Sequence, residues 1–163
     1  MHATDTADSH GKGLRVGLAV SRYYREIVDP MEVAAIATFE ACGGEREDIL
    51  VVDAPGAFEL VSISAALAER PDLDAVVTLG CVIEGDTSHD QWINSAVSQG
   101  LANISVRTGK PVAFGVLTCA NRGQAEARSG GAKGNKGEEA MKAAIDAVVA
   151  IRRIRDGAGA VYE

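Results

Sequence analysis

Aromatic side chains are scarce in this sequence: three Phe, three Tyr and one Trp make up 4% of 163 residues. Few rings remain once a core has taken its share, so each ring beside a polar motif is a site candidate. Positive charge is also short, with 16 Lys and Arg against 23 Asp and Glu and a formal net charge of −7. Nucleic acids and anionic membranes need a basic face, and this balance excludes both as principal partners. Any phosphate bound here must be met by a local cluster of donors. Cys42, Cys81 and Cys119 are odd in number and far apart, without a C-x-x-C pair or a histidine at zinc-finger spacing. Neither a disulfide framework nor a metal centre is expected. No run approaches the ~20 apolar residues of a membrane span. Residues 1–13 (MHATDTADSHGKG) are polar and lack the apolar stretch of a signal peptide, which points to the cytoplasm. Asn103-Ile104-Ser105 matches a glycosylation sequon, but inside a helical pattern and without a secretory route it is a chance match.

Four short apolar, β-branched runs are present: Leu14 to Val20, Ile49 to Val52, Ala75 to Val82 and Val112 to Leu117. They read as buried strands, each followed by a loop and then helical periodicity. The clearest stripe is Ile93, Ala96, Val97, Gly100, Leu101 and Ile104, spaced to pack one helix face on a sheet. The last helix carries Met141, Ala144, Val148 and Ile151 on one face. Arg152, Arg153 and Arg155 lie near its C-terminus, where the dipole favours cations. Asp29-Pro30-Met31-Glu32 resembles a helix start, with Pro at the first helical position; a start near Tyr24 is the alternative and would place Pro30 inside. Repeated strand–helix alternation implies right-handed crossovers. The expected class is a three-layer α/β/α sandwich on a four-stranded parallel sheet. The expected organisation is a flexible segment at 1–13, one domain at 14–156 and a tail at 157–163.

Ligands of open parallel sheets bind beyond the carboxyl ends of the strands, so the four loops that follow the runs carry the search. They read Ser21-Arg22-Tyr23-Tyr24, then Ala54-Pro55-Gly56-Ala57-Phe58-Glu59, then Glu84-Gly85-Asp86-Thr87-Ser88-His89, then Thr118-Cys119-Ala120-Asn121. His2 and His10 fall in the expected flexible segment, which leaves His89 as the candidate acid–base group. It stands at a helix mouth whose backbone N–H groups suit an anion, and an imidazole suits proton transfer coupled to phosphate departure. The plainer alternative is that His89 caps its helix or lies in solvent, and that Gly85 to Ser88 do no more than cap. Arg128 to Gly137 holds three cations and four glycines before the last helix. That stretch could close over an anion or form a solvated loop, and no Walker register fits it. Tyr23, Phe58 and Phe114, the last placed near the exit of the fourth strand, could stack on a planar heterocycle or simply pack. Glu59 could cap by charge or bond a ligand hydroxyl.

Four strings, in order and at matching spacing, resemble the lumazine synthase family: Pro55-Gly56-Ala57-Phe58-Glu59, Leu79 to His89, Pro111 to Thr118 and Gly134-Asn135-Lys136-Gly137. The likeness spans about residues 14–154, and the topology it implies is flavodoxin-like. It implies a transferase of riboflavin biosynthesis that condenses a ribitylaminouracil with 3,4-dihydroxy-2-butanone 4-phosphate, with no cofactor and no metal. By the same resemblance Tyr23, Ala57, Phe58 and Glu59 bind the uracil, with Cys81, Val82 and Ile83 along the strand end and Phe114 closing the pocket. Gly85, Asp86 and Thr87 bind the phosphate, Arg128 pairs with it, His89 shuttles protons and Lys136 adds positive charge. Family members form pentamers, often within icosahedral shells, and share the site between subunits. The short Gly130 to Gly137 loop favours a shell.

The sequence departs from the family at Tyr23, where Phe or Trp is usual, and at Tyr24, where Asn is common. Ser88 replaces a frequent Pro, Asp90 a frequent Phe and Trp92 a frequent Tyr, while Lys133 lies one residue from a commonly basic position. A carrier or storage shell binding flavin or lumazine without turnover is one alternative, against which the retained His89, Arg128 and Lys136 argue. The other is an aldolase forming a Schiff base on Lys136, which needs that amine buried.

Overall fold

The computed structural model describes residues 10–157. The four apolar runs form β1 (Val16–Ser21), β2 (Ile49–Ala54), β3 (Ala75–Ile83) and β4 (Val112–Cys119), joined by α1 (Arg25–Ala41), α2 (Leu60–Glu69) and α3 (His89–Thr108). All six residues of β1 and the first eight of β3 are buried, as expected of central strands covered on both faces. The strands pair in parallel in the order β2-β1-β3-β4, the flavodoxin-like arrangement. The first crossover leaves β1 toward one edge and the third leaves β3 toward the other. The turn-around therefore lies between β1 and β3, and a crevice opens there at their carboxyl ends.

Two apolar clusters sandwich the sheet. On one face Met31 and Phe39 of α1 meet Met141 and Ile145 of the last helix, α5 (Lys136–Arg155), over Leu18, Val20 and Leu79. On the other, Leu60 and Leu67 of α2 meet Val97 and Leu101 of α3. Burying such a side chain stabilises the fold by roughly 1.5–3 kcal/mol each. Gly109, in the left-handed region at φ 69°, ends α3 and donates its N–H to Ser105.

Several boundaries differ from expectation. Leu14 is buried but precedes the ladder, while the ladder runs on through polar Ser21 paired with Ala54, and through Ile83 paired with Cys119. Pairing depends on backbone register, not on side-chain polarity. Helix α1 starts at Arg25 with Pro30 inside it, so the helix start read at Asp29 gives way to its alternative. Pro30 removes the N–H that would donate to the Glu26 carbonyl, and packing of Ile27, Val28 and Met31 holds the helix across that gap. Phe114 is the third of eight residues in β4, opposite Thr78, and so lies toward the start of that strand and not near its exit. Between β4 and α5 the chain forms a further helix, α4 (Arg122–Arg128), and a small antiparallel hairpin, β5 (Ser129–Gly131) with β6 (Gly134–Asn135). Residues 1–9 and 158–163, most of the expected flexible segment and tail, lie outside the described residues. Residues 10–13 form a turn in which the Gly11 N–H donates to the Cys42 carbonyl (2.8 Å).

Candidate functional site

A cavity of about 800 Å³ opens where the topology places it, walled by the loops after β1, β2 and β3 and by the first turns of α3. Of the residues read from the sequence, it brings together Tyr23, Ala57, Phe58, Glu59, Cys81, Val82, Ile83, Gly85, Thr87 and His89. Asp86 sits in the same loop without lining the cavity. Phe114 on β4, Arg128 at the end of α4 and Lys136 at the start of α5 also stand outside it.

The β1–α1 loop is clamped by Arg22. Its Nε donates to Asp53 Oδ1 (2.8 Å) at the end of β2, and its Nη1 to Asp29 Oδ1 (3.0 Å) and Glu32 Oε2 (2.5 Å) on α1. Bonding to Glu32 and Asp53 holds the guanidinium charged, its pKa raised further above its ordinary value. The loop is thus tied to strand and helix together, and it presents Tyr23, 71% exposed, toward the cavity. The β2–α2 loop contributes Phe58, 57% exposed. Glu59 follows at the N-cap of α2 but forms no side-chain capping bond, so its carboxylate is available to a ligand.

From β3, Cys81 and Val82 form the floor. Desolvation, with Cys119 and Glu26 nearby, pushes the Cys81 thiol up to about 12, so it is neutral wall and not a nucleophile. Ser88 stands at the N-cap of α3 without a side-chain cap, and the one side-chain bond to the backbone there is long, from the His89 N–H to Thr87 Oγ1 at 3.4 Å. The plain capping reading of this loop is therefore weakly met, and the N-terminal end of a 20-residue helix is left facing the cavity mouth. The His89 ring is exposed on the cavity wall.

The lining side chains include two carboxylates, Glu59 and Asp90, and one imidazole, but no Lys or Arg. Arg128 is exposed close enough to Cys119 to lower that thiol's pKa against the larger upward push of burial. Lys136 is paired with Glu139 (3.1 Å) and its side chain is 34% exposed, which is not the dry, unpaired amine a Schiff-base lysine requires. Much of the Gly134-Asn135-Lys136-Gly137 motif is structural. Asn135 Oδ1 accepts the Gly137 N–H (2.9 Å), Asn135 Nδ2 donates to the Pro30 carbonyl (3.3 Å), and a Cβ on Gly137 would meet the Met31 carbonyl oxygen at 1.9 Å. Among the described residues no group of three or more His, Cys, Asp or Glu is placed to hold a metal ion, and no helix is long and apolar enough to cross a membrane.

Tyr24, Gly56, Asp90, Trp92, Ile93 and Ala96 also line the cavity. Ile93 and Ala96 belong to the stripe read as packing on the sheet, yet only Val97, Leu101 and Ile104 of α3 are buried. Scarcity of rings was the usable signal for Tyr24 and Trp92, because four of the chain's seven aromatics wall this one cavity.

Comparison with known proteins gives a concordant result. A family model described as 6,7-dimethyl-8-ribityllumazine synthase matches residues 13–152. A protein of that description from Porphyromonas gingivalis is 44% identical over 135 residues, covering 83% of this chain and 84% of its own length. Another from Aquifex aeolicus is 40% identical over 144 residues (88% and 94%), and one from Kineococcus radiotolerans 43% over 146 residues (88% and 89%).

Proposed function

The chain belongs to the 6,7-dimethyl-8-ribityllumazine synthase family, and from that premise we propose that its cavity condenses 5-amino-6-(D-ribitylamino)uracil with 3,4-dihydroxy-2-butanone 4-phosphate. The product is 6,7-dimethyl-8-ribityllumazine, with phosphate and water released, as a step of riboflavin biosynthesis. The uracil stacks on Tyr23 and Phe58, with Ala57, Cys81, Val82 and Ile83 against its edges, and Glu59 accepts from its hydroxyl or amine groups. The phosphate sits at the mouth of α3, on the backbone donors of Gly85, Asp86 and Thr87. The uracil amine adds to the ketone and expels water to give an imine. Loss of a proton from the adjoining carbon expels phosphate, and the second amine closes the ring with loss of a second water. His89 moves the protons. Holding two reactants in register supplies roughly 7–11 kcal/mol in favourable cases, more than one general acid–base group does.

One observation carries the reading further. A phosphate dianion is poorly matched by a cavity that holds two carboxylates and no cation, so the neutralising charge comes from outside the wall of a single chain. Arg128 and Lys136 supply it from a neighbouring copy in a homo-oligomer, and Phe114 of that copy closes the pocket. The contact is head-to-tail, which closes into a ring of five, and the short hairpin before α5 leaves such rings free to assemble as a shell. Three free thiols fit a reducing cytoplasm.

The test follows lumazine absorbance together with released phosphate when both substrates are mixed; equimolar formation of the two is expected. Binding of either substrate without product would overturn the enzyme reading in favour of a carrier. For the shared site, His89→Ala and Arg128→Ala proteins, each deficient alone, are unfolded and refolded together. Partial return of activity is expected, and none would place both residues in one subunit's site.

A further inference from the structure

Tyr23 is 71% exposed, and a ring in that setting turns about its side-chain torsions. A ligand stacking on it would have to stop that motion and bear the entropy cost. The backbone beneath is already fixed: the Arg22 N–H donates to the Ala54 carbonyl (2.9 Å), its guanidinium grips three carboxylates, and the Tyr23 N–H reaches Ser21 Oγ at 3.5 Å. What the clamp leaves free is the ring itself. One ring-on-ring contact is formed among the described residues, and it falls here: Tyr24 meets Tyr23 edge-to-face, with centroids 4.8 Å apart and planes at 86°. That is a favoured geometry for two aromatic quadrupoles.

The two tyrosines differ in setting. Tyr24 is half-buried against the cluster beneath α1 and α5, and as the N-cap of α1 its carbonyl accepts the N–H groups of Ile27 (3.0 Å) and Val28 (2.9 Å). Burial above all, with Tyr23 and Cys81 adding to it, raises the Tyr24 phenol, which stays a neutral group at working pH. A ring anchored in the core thus abuts a ring presented to the cavity. We propose that Tyr24 is a positioning residue that holds the Tyr23 ring in the orientation in which it stacks on the uracil. This rests on the reading of Tyr23 as the stacking ring. The contact uses the phenyl edge or face and not the hydroxyl, which separates it from a direct bond between Tyr24 and the substrate.

The test measures KM for each substrate and kcat in Tyr23→Ala, Tyr24→Ala, Tyr24→Phe and the double alanine variant. Tyr24→Ala is expected to raise KM for the ribitylaminouracil roughly three- to ten-fold, the range of an aromatic pair, and to leave KM for the butanone phosphate unchanged. Tyr24→Phe should behave as wild type, and Tyr24→Ala should add nothing in the Tyr23→Ala background. Partial misfolding lowers the active fraction and hence kcat, not KM, so the comparison survives a destabilised variant. A loss in Tyr24→Phe equal to that in Tyr24→Ala, or an undiminished effect of Tyr24→Ala without Tyr23, would overturn the positioning role while leaving the stacking role of Tyr23 standing. An unchanged KM in Tyr23→Ala would sink the stacking reading itself.

Discussion

The two ends of the sheet differ in how far their polar groups are met. At the amino ends of the strands, charges are paired. Arg15, just before β1, donates its N–H to Asp74 (2.8 Å) and its guanidinium to Asp72 (2.9 Å), and lies 3.5 Å from Asp48, just before β2. Arg152 of α5 closes on Asp74 (2.6 Å), Arg155 donates to the Gly109 carbonyl (3.1 Å), and Lys110 donates to the Arg70 carbonyl. Arg70, with Arg15 adding to it, holds the Asp72 carboxyl below its usual range. At the carboxyl ends the Arg22 clamp pairs charges behind the cavity, but the polar groups facing it are not met: Glu59 and Ser88 stand at N-caps without side-chain capping, and Asp90 Oδ1 and Asn94 Oδ1 on the first turns of α3 are buried without a hydrogen-bond partner. Unmet polar groups cost stability unless something supplies their partners. In a parallel sheet the strand ends and the helix N-termini gather on one side, so the polar groups left unmet there lie where ligands bind.

Substitutions at the two ends should therefore separate rate from stability. The largest expected effect is His89→Ala, a drop in kcat on the order of 10²-fold, the lower part of the general acid–base range. Its urea midpoint should stay at the wild-type value because the ring is exposed. A wild-type initial rate of lumazine formation would remove His89 from the proton path. Arg128→Ala comes next, raising KM for the butanone phosphate by roughly 10- to 100-fold, as expected for loss of one charge-assisted bond. KM for the uracil should change little. A uniform rise in both would point to damaged assembly instead of a lost phosphate contact.

Much of this division is legible in the sequence, and what is not has physical causes. Buried β-branched runs disclose the four strands to within a few residues, but hydropathy cannot see that Ser21, Asp53, Ala54, Thr118 and Cys119 remain in the ladder. Helix α4 escapes because it spans seven residues, contains Gly123 and buries only Ala125, so no apolar stripe exists to find. The rim loops stand out as polar or glycine-rich, which is how Tyr23, Phe58, Glu59 and His89 come to light. Ile93 and Ala96 do not stand out, because a helix that passes from a cavity wall to a sheet keeps one periodicity throughout. In the Gly134-Asn135-Lys136-Gly137 string, Gly137 and Asn135 serve the contact of α5 with α1. Nothing in one chain's pattern tells such a cap from a ligand loop.

At the paired end, Asp74→Ala should leave KM and kcat for both substrates intact while lowering stability by about 1–2 kcal/mol, since a half-buried carboxylate there loses two charge-assisted bonds. Urea midpoints compared at one protein concentration read this, which keeps any effect of assembly equal between the two proteins. A slower enzyme of unchanged midpoint would break the separation between the ends.

The smallest effect tests how dry the cavity floor is. Burial raises the Cys81 thiol from its ordinary 9.0 to about 12, so the folded chain keeps a proton that the unfolded chain gives up. The stability that this group contributes is whole below pH 9, where both states hold the proton, and drains as pH climbs from 9 toward 12. Between pH 9 and 10 the loss is about 1 kcal/mol at most. Cys42, Cys119 and Tyr24 are raised too and add slopes of the same sign, so the comparison must be with Cys81→Ala across the same pH range. The variant should start less stable and lose less per pH unit than wild type. Parallel curves would mean that water reaches the sulfur, and that the floor of the cavity is wet enough to ionise it.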